Sequence, residues 1–262
     1  VPTISRNLVP AAPDSQADPS RPSVDRRTRA LEIVMVDLVA AHAALAAEEQ
    51  NRPRLSEEDE RRAVTISDEH QRQNWRASRI ALRVVLERVG GQSLRRVPIR
   101  AEEGGRPVLA EGGPQFSISH TEGFALIAVA DSVVGVDLEA VTRKLKMSAD
   151  RRQRIVSAAA RFHDAPRLSA SIDADVLTAW VRLEAVAKAR GSGIGRLLTE
   201  HGVVGGSPSP VPVFSNTEFD IRSLDVGPAH VAAIAARELP KCPEVIQFPT
   251  KNIEAFLGGK NI

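Results

Sequence analysis

The stretch from residue 116 to residue 139 constrains the fold of this chain most, because it is a nearly continuous series of β-forming residues. Its three runs read FSISH (116–120), FALIAVA (124–130) and VVGVDLE (133–139). Runs of this composition, separated by short polar breaks, predict strands. The break at Asp131-Ser132 has only two residues, which predicts a hairpin that pairs the second run with the third. We therefore expect antiparallel pairing in the middle of the chain.

Helical and strand patterns are interspersed on both sides of this stretch. Further strands are predicted at 31–38, 97–101, 219–226 and 230–237, the last two as a pair. Helices are predicted over 39–50, from Ser56 as the N-cap of the next helix, over 68–89 and over 174–190. Glycines directly follow the last two helices and are expected to end them. Because hairpins dominate over parallel crossovers, the pattern favours an α+β fold.

Composition limits the kind of protein this is. The chain has 262 residues, 42% of them hydrophobic, which is enough for a substantial core. The only cysteine is Cys242, so the chain has no internal disulfide, and we expect a cytoplasmic setting. No stretch reaches the roughly 18 apolar residues of a membrane helix, and residues 1–27, rich in proline, are expected to be a disordered tail rather than a signal peptide. The low aromatic content, 3% with no tyrosine, argues against a base-stacking nucleic-acid binder.

Asp137 and Glu139 are the first candidate site residues. At positions i and i+2 of a strand, their side chains point to the same face. Two carboxylates side by side repel each other unless a cation lies between them, and a hard divalent metal prefers oxygen ligands. The alternative is a strand end whose acidic residues face water.

Glu184 and Lys188 are the second candidate pair, on a helix that is apolar nearly all round. They share one face with Leu177 and Val181, so both charges must be paired or ligated if that face is buried. The alternative is an ordinary salt bridge between neighbouring turns at the surface.

His120 and Arg106 are weaker candidates. His120 ends a strand beside a flexible turn, where ligand contacts are common, although a lone histidine there is more often structural. Arg106 lies in the turn sequence GGRP, where its cation either binds a phosphate or is simply solvated.

Order and spacing say more than each piece alone. The chain contains GRP, then FSISH, then VGVDLE, then W-x-x-x-E-A-x-x-K-A-x-G-x-G. This succession resembles the 4′-phosphopantetheinyl transferase superfamily over residues 31–237, in particular its larger monomeric class that activates polyketide and nonribosomal peptide synthetases.

The resemblance implies a fold of two similar α+β lobes related by a pseudo-two-fold axis, with the active site in the cleft between them. The division expected here is a tail at 1–27, an N-terminal lobe at 28–123, a C-terminal lobe at 124–238 with the metal and catalytic motifs, and a tail at 239–262. Residues 203–212 are predicted to be a linker within the second lobe.

The resemblance also implies roles for individual residues. Mg²⁺, with Mn²⁺ as the alternative, is expected on Asp137, Glu139 and Glu184, and Glu184 is also the expected general base. The expected catalytic residues are Asp137, Glu184 and Lys188, and Lys188 is expected to contact phosphate oxygens of coenzyme A. Coenzyme A is expected to meet the residues Arg79, Arg106, Ser119, His120, Thr121 and Lys188.

One further position agrees with the family pattern, and two depart from it. Arg83 fits the family pattern of cations on the long first helix. Asn74 stands where many members have arginine, and Leu183 stands where lysine is common. Neither departure touches the predicted metal ligands.

The reaction implied is transfer of the 4′-phosphopantetheine arm of coenzyme A to a serine of an apo acyl or peptidyl carrier protein, with release of 3′,5′-ADP. The expected enzyme is a monomer that has neither nucleic acid nor membrane as a partner. Two rival hypotheses remain: a catalytically inactive relative that binds coenzyme A, and a basic nucleic-acid-binding protein, suggested by the pI of about 9.0.

Overall fold

The computed structural model describes residues 31–162, 164–205 and 218–259. The predicted tail at 1–27 lies outside the described residues, as does most of the predicted linker at 203–212. Among the helices that are described, none is long and apolar enough to cross a bilayer.

The described chain is a mixed α+β fold, as predicted. Its strands are β1 (Glu32–Asp37), β2 (Ile99–Ala101), β3 (Pro107–Leu109), β4 (Gln115–Thr121), β5 (Phe124–Ala130), β6 (Val134–Ala140), β7 (Asp220–Leu224), β8 (His230–Ala236) and β9 (Ile246–Gln247). Its helices are α1 (His42–Asn51), α2 (Glu57–Val64), α3 (Glu69–Gly90), α4 (Ala149–Ala159), α5 (Asp173–Arg190), α6 (Ile194–Glu200) and α7 (Ile253–Leu257).

The predicted hairpin at Asp131-Ser132 is wrong. β5 pairs with β4 and β1 in a first sheet of order β4-β5-β1-β9, whereas β6 pairs with β8 in a second sheet of order β6-β8-β7. The tight turn is instead Glu122-Gly123, between β4 and β5, where both residues have positive φ. Glycine makes that backbone conformation easy, and Asp131-Ser132 has no glycine. The chain crosses from one sheet to the other at this break.

The two sheets pack face to face between two long helices. Alternate residues of β5 and β1, such as Ile127 and Val34, face α3, while Leu126 and Met35 face the second sheet. On the second sheet, Ala233 and Ala235 of β8 face α5. Both inner faces meet in a third apolar cluster. β4 and β6, each an edge strand, also lie side by side, and two hydrogen bonds join them. The predicted pairing of the last two long strands, β7 and β8, is confirmed.

The segment beyond residue 238, predicted to be a tail, contributes to the first sheet. β9 adds to β1 in parallel, and α7 follows it. Phe248, Ile253 and Phe256 are buried in the core beneath α3 because their apolar side chains complete that cluster. The sequence shows no period here because the elements have only two and five residues.

Buried charges fix α2 against α3. Ser56 caps α2 as predicted, in a reciprocal capping box with Asp59. Arg83 of α3 is fully buried, and it donates to Asp59 and to the carbonyl of Val97. Arg83 therefore holds two helices and a loop together instead of presenting a cation to a ligand.

Candidate active site

Two serines of β4 bridge the edges of the two sheets. Ser117 and Ser119 lie at i and i+2, so both side chains point toward β6. Ser117 Oγ accepts a hydrogen bond from the Val136 backbone nitrogen at 3.1 Å, and Ser119 Oγ donates to Asp137 Oδ1 at 2.7 Å. Both serines are buried. The first candidate carboxylate is thus tied to the sheet opposite its own.

Asp137 is a buried carboxylate, and only one of its two oxygens has a hydrogen-bond partner among the described residues. Oδ1 accepts from Ser119 and from Lys188 Nζ, which lies 2.8 Å away. Oδ2 is also buried, and the described residues offer it no hydrogen-bond partner. A buried carboxylate oxygen without a partner is costly, and it marks a place where a cation or a ligand donor would be stabilising.

Gly135 explains how Glu184 and Lys188 come so near Asp137. It lies two residues before Asp137 on the same face of β6, and a Cβ there would clash with the carbonyl oxygen of Ala185 and the nitrogen of Ala189. Without that Cβ, the backbone of α5 packs directly on the strand. One turn of α5 then places Glu184 and Lys188 beside Asp137, and Lys188 forms its ion pair with Asp137 rather than with Glu184.

Glu184 has the most perturbed carboxyl group of the site. Burial, and then the negative charge of Asp137, raise its pKa to about 6, although Lys188 and Arg143 oppose the shift. Two carboxylates that repel each other in a half-buried place would be relieved by a cation between them.

Glu139, the third predicted metal ligand, is occupied otherwise. Its carboxylate forms an ion pair with Arg143, four residues later and half exposed. Within the described ranges, no group of three or more His, Cys, Asp or Glu side chains is positioned to hold a metal ion. The three-carboxylate metal site therefore stays a prediction.

His120 lines a cleft of about 560 Å³ whose walls also include Thr121, Trp75, Asn74 and Arg62. The Arg79 guanidinium lies 5.1 Å over the Trp75 ring, and its buried Nη1 has no hydrogen-bond partner in the part of the chain that is described. Burial, Lys188 and Arg79 all lower the pKa of His120, although its ring reaches solvent. The predicted phosphate-binding cations are therefore near enough for their charges to interact.

Arg106 lines a second, smaller pocket, a slot of about 220 Å³ that Lys188 also lines. The slot is lined by Glu184 and Lys188 and by the apolar side chains of Phe116, Ile118 and Ile194. Arg106 is paired with Glu102 and donates to the Ala189 carbonyl at 3.3 Å. Its guanidinium is thus already held at the end of α5, and a phosphate would have to compete with Glu102.

The arrangement brings Ser119 and Lys188 into contact with Asp137, and Glu184 is near enough for the charge of Asp137 to raise its pKa. Residues 59–130 match the 4′-phosphopantetheinyl transferase N-terminal domain family. This match supports membership of the phosphopantetheinyl transferase superfamily, as the resemblance implied. No curated protein matches the chain.

The phosphopantetheinyl transferase match runs from α2 to the end of β5. It includes the predicted coenzyme A residues Arg79, Arg106, Ser119, His120 and Thr121. The catalytic and metal residues on β6 and α5 lie outside it, and their roles remain predictions. The hydrogen bond from Ser119 to Asp137 connects the two sets.

Sequence reasoning missed two features of the site. Gly135 lies in the interior of a predicted strand, and such a glycine signals a close backbone approach, so the signal was present. The contact of Ser119 with Asp137 had no signal, because it joins edge strands of two different sheets.

Proposed function

We propose that this protein transfers the 4′-phosphopantetheine moiety of coenzyme A to a serine of an apo carrier protein and releases 3′,5′-ADP. The observation that carries the proposal is the link between the matched domain and the buried carboxylates: Ser119, within residues 59–130, bonds to Asp137 outside them. This hydrogen bond connects the matched domain to the carboxylates that the proposed transfer would use.

Coenzyme A would be held by the cations around the cleft. Beside burial, the charges of Lys188 and Arg79 both lower the pKa of His120, and Nη1 of Arg79 has no hydrogen-bond partner among the described residues. An anionic phosphate there would be stabilised by all three and would favour the protonated form of His120. Trp75 adds an apolar face to the same cleft.

Asp137 and Glu184 fit a divalent metal, because one has a free buried oxygen and the other is repelled by its neighbour. Together with Glu139, once this residue leaves Arg143, they would supply the oxygen ligands that Mg²⁺ or Mn²⁺ prefers. When bound, the metal supplies charge stabilisation on the pyrophosphate and a template for in-line displacement.

Glu184 is the proposed base for the carrier serine. With a pKa of about 6 it is mostly ionised at neutral pH, yet it is a better proton acceptor than an ordinary glutamate. Lys188 keeps the charge of Asp137 balanced at Oδ1. The serine hydroxyl is a poor nucleophile, so positioning and proton removal must both contribute to the rate.

The two sheets, each covered by one long helix and meeting at β4 and β6, support the proposal of two similar lobes with the site between them. We further propose that the enzyme is the holo-[acyl-carrier-protein] synthase type, acts as a monomer, and belongs with the class that activates polyketide or peptide synthetases.

The test is intact-mass spectrometry of a panel of apo carrier proteins incubated with the protein, coenzyme A and Mg²⁺. We expect a gain of one phosphopantetheine, lost with EDTA and lost in Glu184→Gln. If no carrier is modified while coenzyme A still binds, the inactive-relative hypothesis replaces this one. If coenzyme A does not bind, a gel shift across a salt series tests the nucleic-acid hypothesis.

A further inference from the structure

The hydroxyl of Ser119 is directed at a carboxylate and not at the open cleft. Ser119 is 7% exposed, and its Oγ lies 2.7 Å from Asp137 Oδ1. A serine hydroxyl has a single proton to donate. While that proton is shared with Asp137, it is not available to a phosphate oxygen.

The two donors on Asp137 act on the same oxygen. Ser119 Oγ and Lys188 Nζ both approach Oδ1, from β4 and from α5. Because one oxygen is held from two sides, rotation of the carboxyl group is restricted. Oδ2, buried and without a partner among the described residues, becomes the oxygen that remains for a ligand.

We infer that Ser119 is a positioning residue that orients Asp137 so that Oδ2 alone faces a divalent cation. This inference rests on the proposed function, and it assigns Ser119 a role different from the phosphate contact that the resemblance implies. Outer-shell hydrogen bonds of this kind fix the orientation of metal-ligating groups, and losing one weakens metal affinity about 10- to 100-fold.

Ser117 provides a matched control on the same strand. It is as buried as Ser119 and also bridges β4 to β6, but its partner is the Val136 backbone nitrogen. Ser117→Ala and Ser119→Ala each remove one hydroxyl and one bond between the sheets. Only the second removes a bond to the carboxylate.

The experiment measures Mn²⁺ affinity by electron paramagnetic resonance of the free ion, at saturating coenzyme A, and coenzyme A affinity in EDTA by calorimetry. We expect Ser119→Ala to raise the Kd for Mn²⁺ about 10- to 100-fold and to change the Kd for coenzyme A in EDTA less than twofold. Ser119→Thr, which keeps the hydroxyl, should restore Mn²⁺ binding to within a few-fold. Ser117→Ala should lower the thermal midpoint and leave the Kd for Mn²⁺ within twofold.

Three results would overturn the inference: unchanged Mn²⁺ affinity in Ser119→Ala, an equal loss in Ser117→Ala, or a tenfold loss of coenzyme A affinity in EDTA, which would make Ser119 a phosphate contact. The same measurements distinguish a failure of this inference from a failure of the proposed function. If the wild-type protein shows no transfer, and its Mn²⁺ affinity still depends on Ser119, the positioning role stands and the proposed activity fails. If the protein is active and its Mn²⁺ affinity does not change in Ser119→Ala, the proposed activity stands and the positioning role fails.

Discussion

Asp59 and Asp137 are equally buried, each 5% exposed, yet their surroundings differ completely. Oδ2 of Asp59 accepts hydrogen bonds from the backbone and hydroxyl of Ser56 and from two nitrogens of Arg83. Oδ2 of Asp137 accepts none from the residues that the structure describes. One carboxylate has its hydrogen-bonding capacity filled within the fold, and the other does not.

The same contrast appears on α3 between Arg79 and Arg83, one turn apart. Arg83 donates to Asp59 and to Val97, whereas Arg79 lies 3.9 Å from Asp59 and keeps a buried nitrogen without a partner in the described chain. Burial of a charge is therefore not what marks the site. An unsatisfied buried charge is not sufficient either, since two buried nitrogens of Arg182 also lack partners among the described residues. Such a charge points to the site where it lies beside other candidate residues, as Asp137 does beside Ser119 and Lys188.

Replacing Asp137 should have the largest effect on activity. Asp137→Asn keeps an acceptor for Ser119 but removes the negative charge. We expect transfer to fall by about 10⁴ in kcat/KM, since the charge stabilisation from a bound metal is worth several kcal/mol and each 1.36 kcal/mol is a factor of ten. The measurement is carrier modification by intact mass, with the urea midpoint as a control for folding. An Asp137→Asn variant with near wild-type activity would remove Asp137 from the site.

Breaking the satisfied pair should instead affect stability. Arg83→Met leaves Asp59 buried without its main cation, which should lower the free energy of unfolding by about 3–5 kcal/mol. Urea denaturation followed by circular dichroism measures it. The protein that remains folded should bind coenzyme A as the wild type does. If affinity falls while stability holds, Arg83 is a ligand contact after all.

Arg79→Met should show the opposite pattern. A guanidinium that meets a phosphate is worth about 1.5–3 kcal/mol, so the Kd for coenzyme A should rise about 10- to 100-fold. Stability should change little, because the side chain already has an unpartnered nitrogen. Calorimetric titration of both arginine variants in parallel checks the pair. If Arg79→Met and Arg83→Met lose coenzyme A affinity equally, Arg79 is not the ligand contact that distinguishes it from Arg83.

The local elements were predictable from sequence, while the pairing between them was not. The strands at 31–38 and 116–130, the capped helix at Ser56 and the end of α5 at Gly191 follow from alternation, capping and glycine preferences within short windows. The partner of β6 does not, since β8 lies some ninety residues later and competes with the adjacent β5. Local turn signals favoured the wrong neighbour.

Sequence motifs identified the candidate residues, but only the structure shows which ion pairs and hydrogen bonds these residues form. Spacing placed Asp137, Glu139, Glu184 and Lys188 on shared faces of a strand and a helix. Spacing does not say that Lys188 pairs with Asp137, or that Arg143 holds Glu139, because those contacts depend on how α5 and the segment after β6 pack.

The pH dependence of transfer tests the electrostatics of the unsatisfied site. Burial and Asp137 raise the pKa of Glu184 to about 6, so the ionised base is present above pH 6 and is lost as pH falls through that value. That value applies to the metal-free protein, so we expect the Glu184 carboxyl carbon to titrate near pH 6 in the NMR spectrum without metal. A bound divalent cation favours the ionised carboxylate, so the acid limb of kcat/KM at saturating Mg²⁺ should have a lower midpoint and fall about tenfold per unit below it. His120→Asn should leave this acid limb in place, since protonation of His120 would favour phosphate binding at low pH. A midpoint near 4.5 for Glu184 in the metal-free protein would contradict the perturbed carboxyl group.

The smallest effect should come from Arg143, which is ion-paired with Glu139. Its ion pair with Glu139 joins a half-exposed guanidinium to a mostly buried carboxylate, and exposed pairs are worth about 0–1 kcal/mol. Arg143→Ala should therefore free Glu139 and tighten Mn²⁺ binding up to about fivefold at saturating coenzyme A. Glu139→Gln in the same background should cancel the gain, because the freed oxygen ligand is then absent. If Arg143→Ala leaves Mn²⁺ affinity unchanged, Glu139 is a partner of Arg143 alone, and only Asp137 and Glu184 remain as the metal-binding carboxylates.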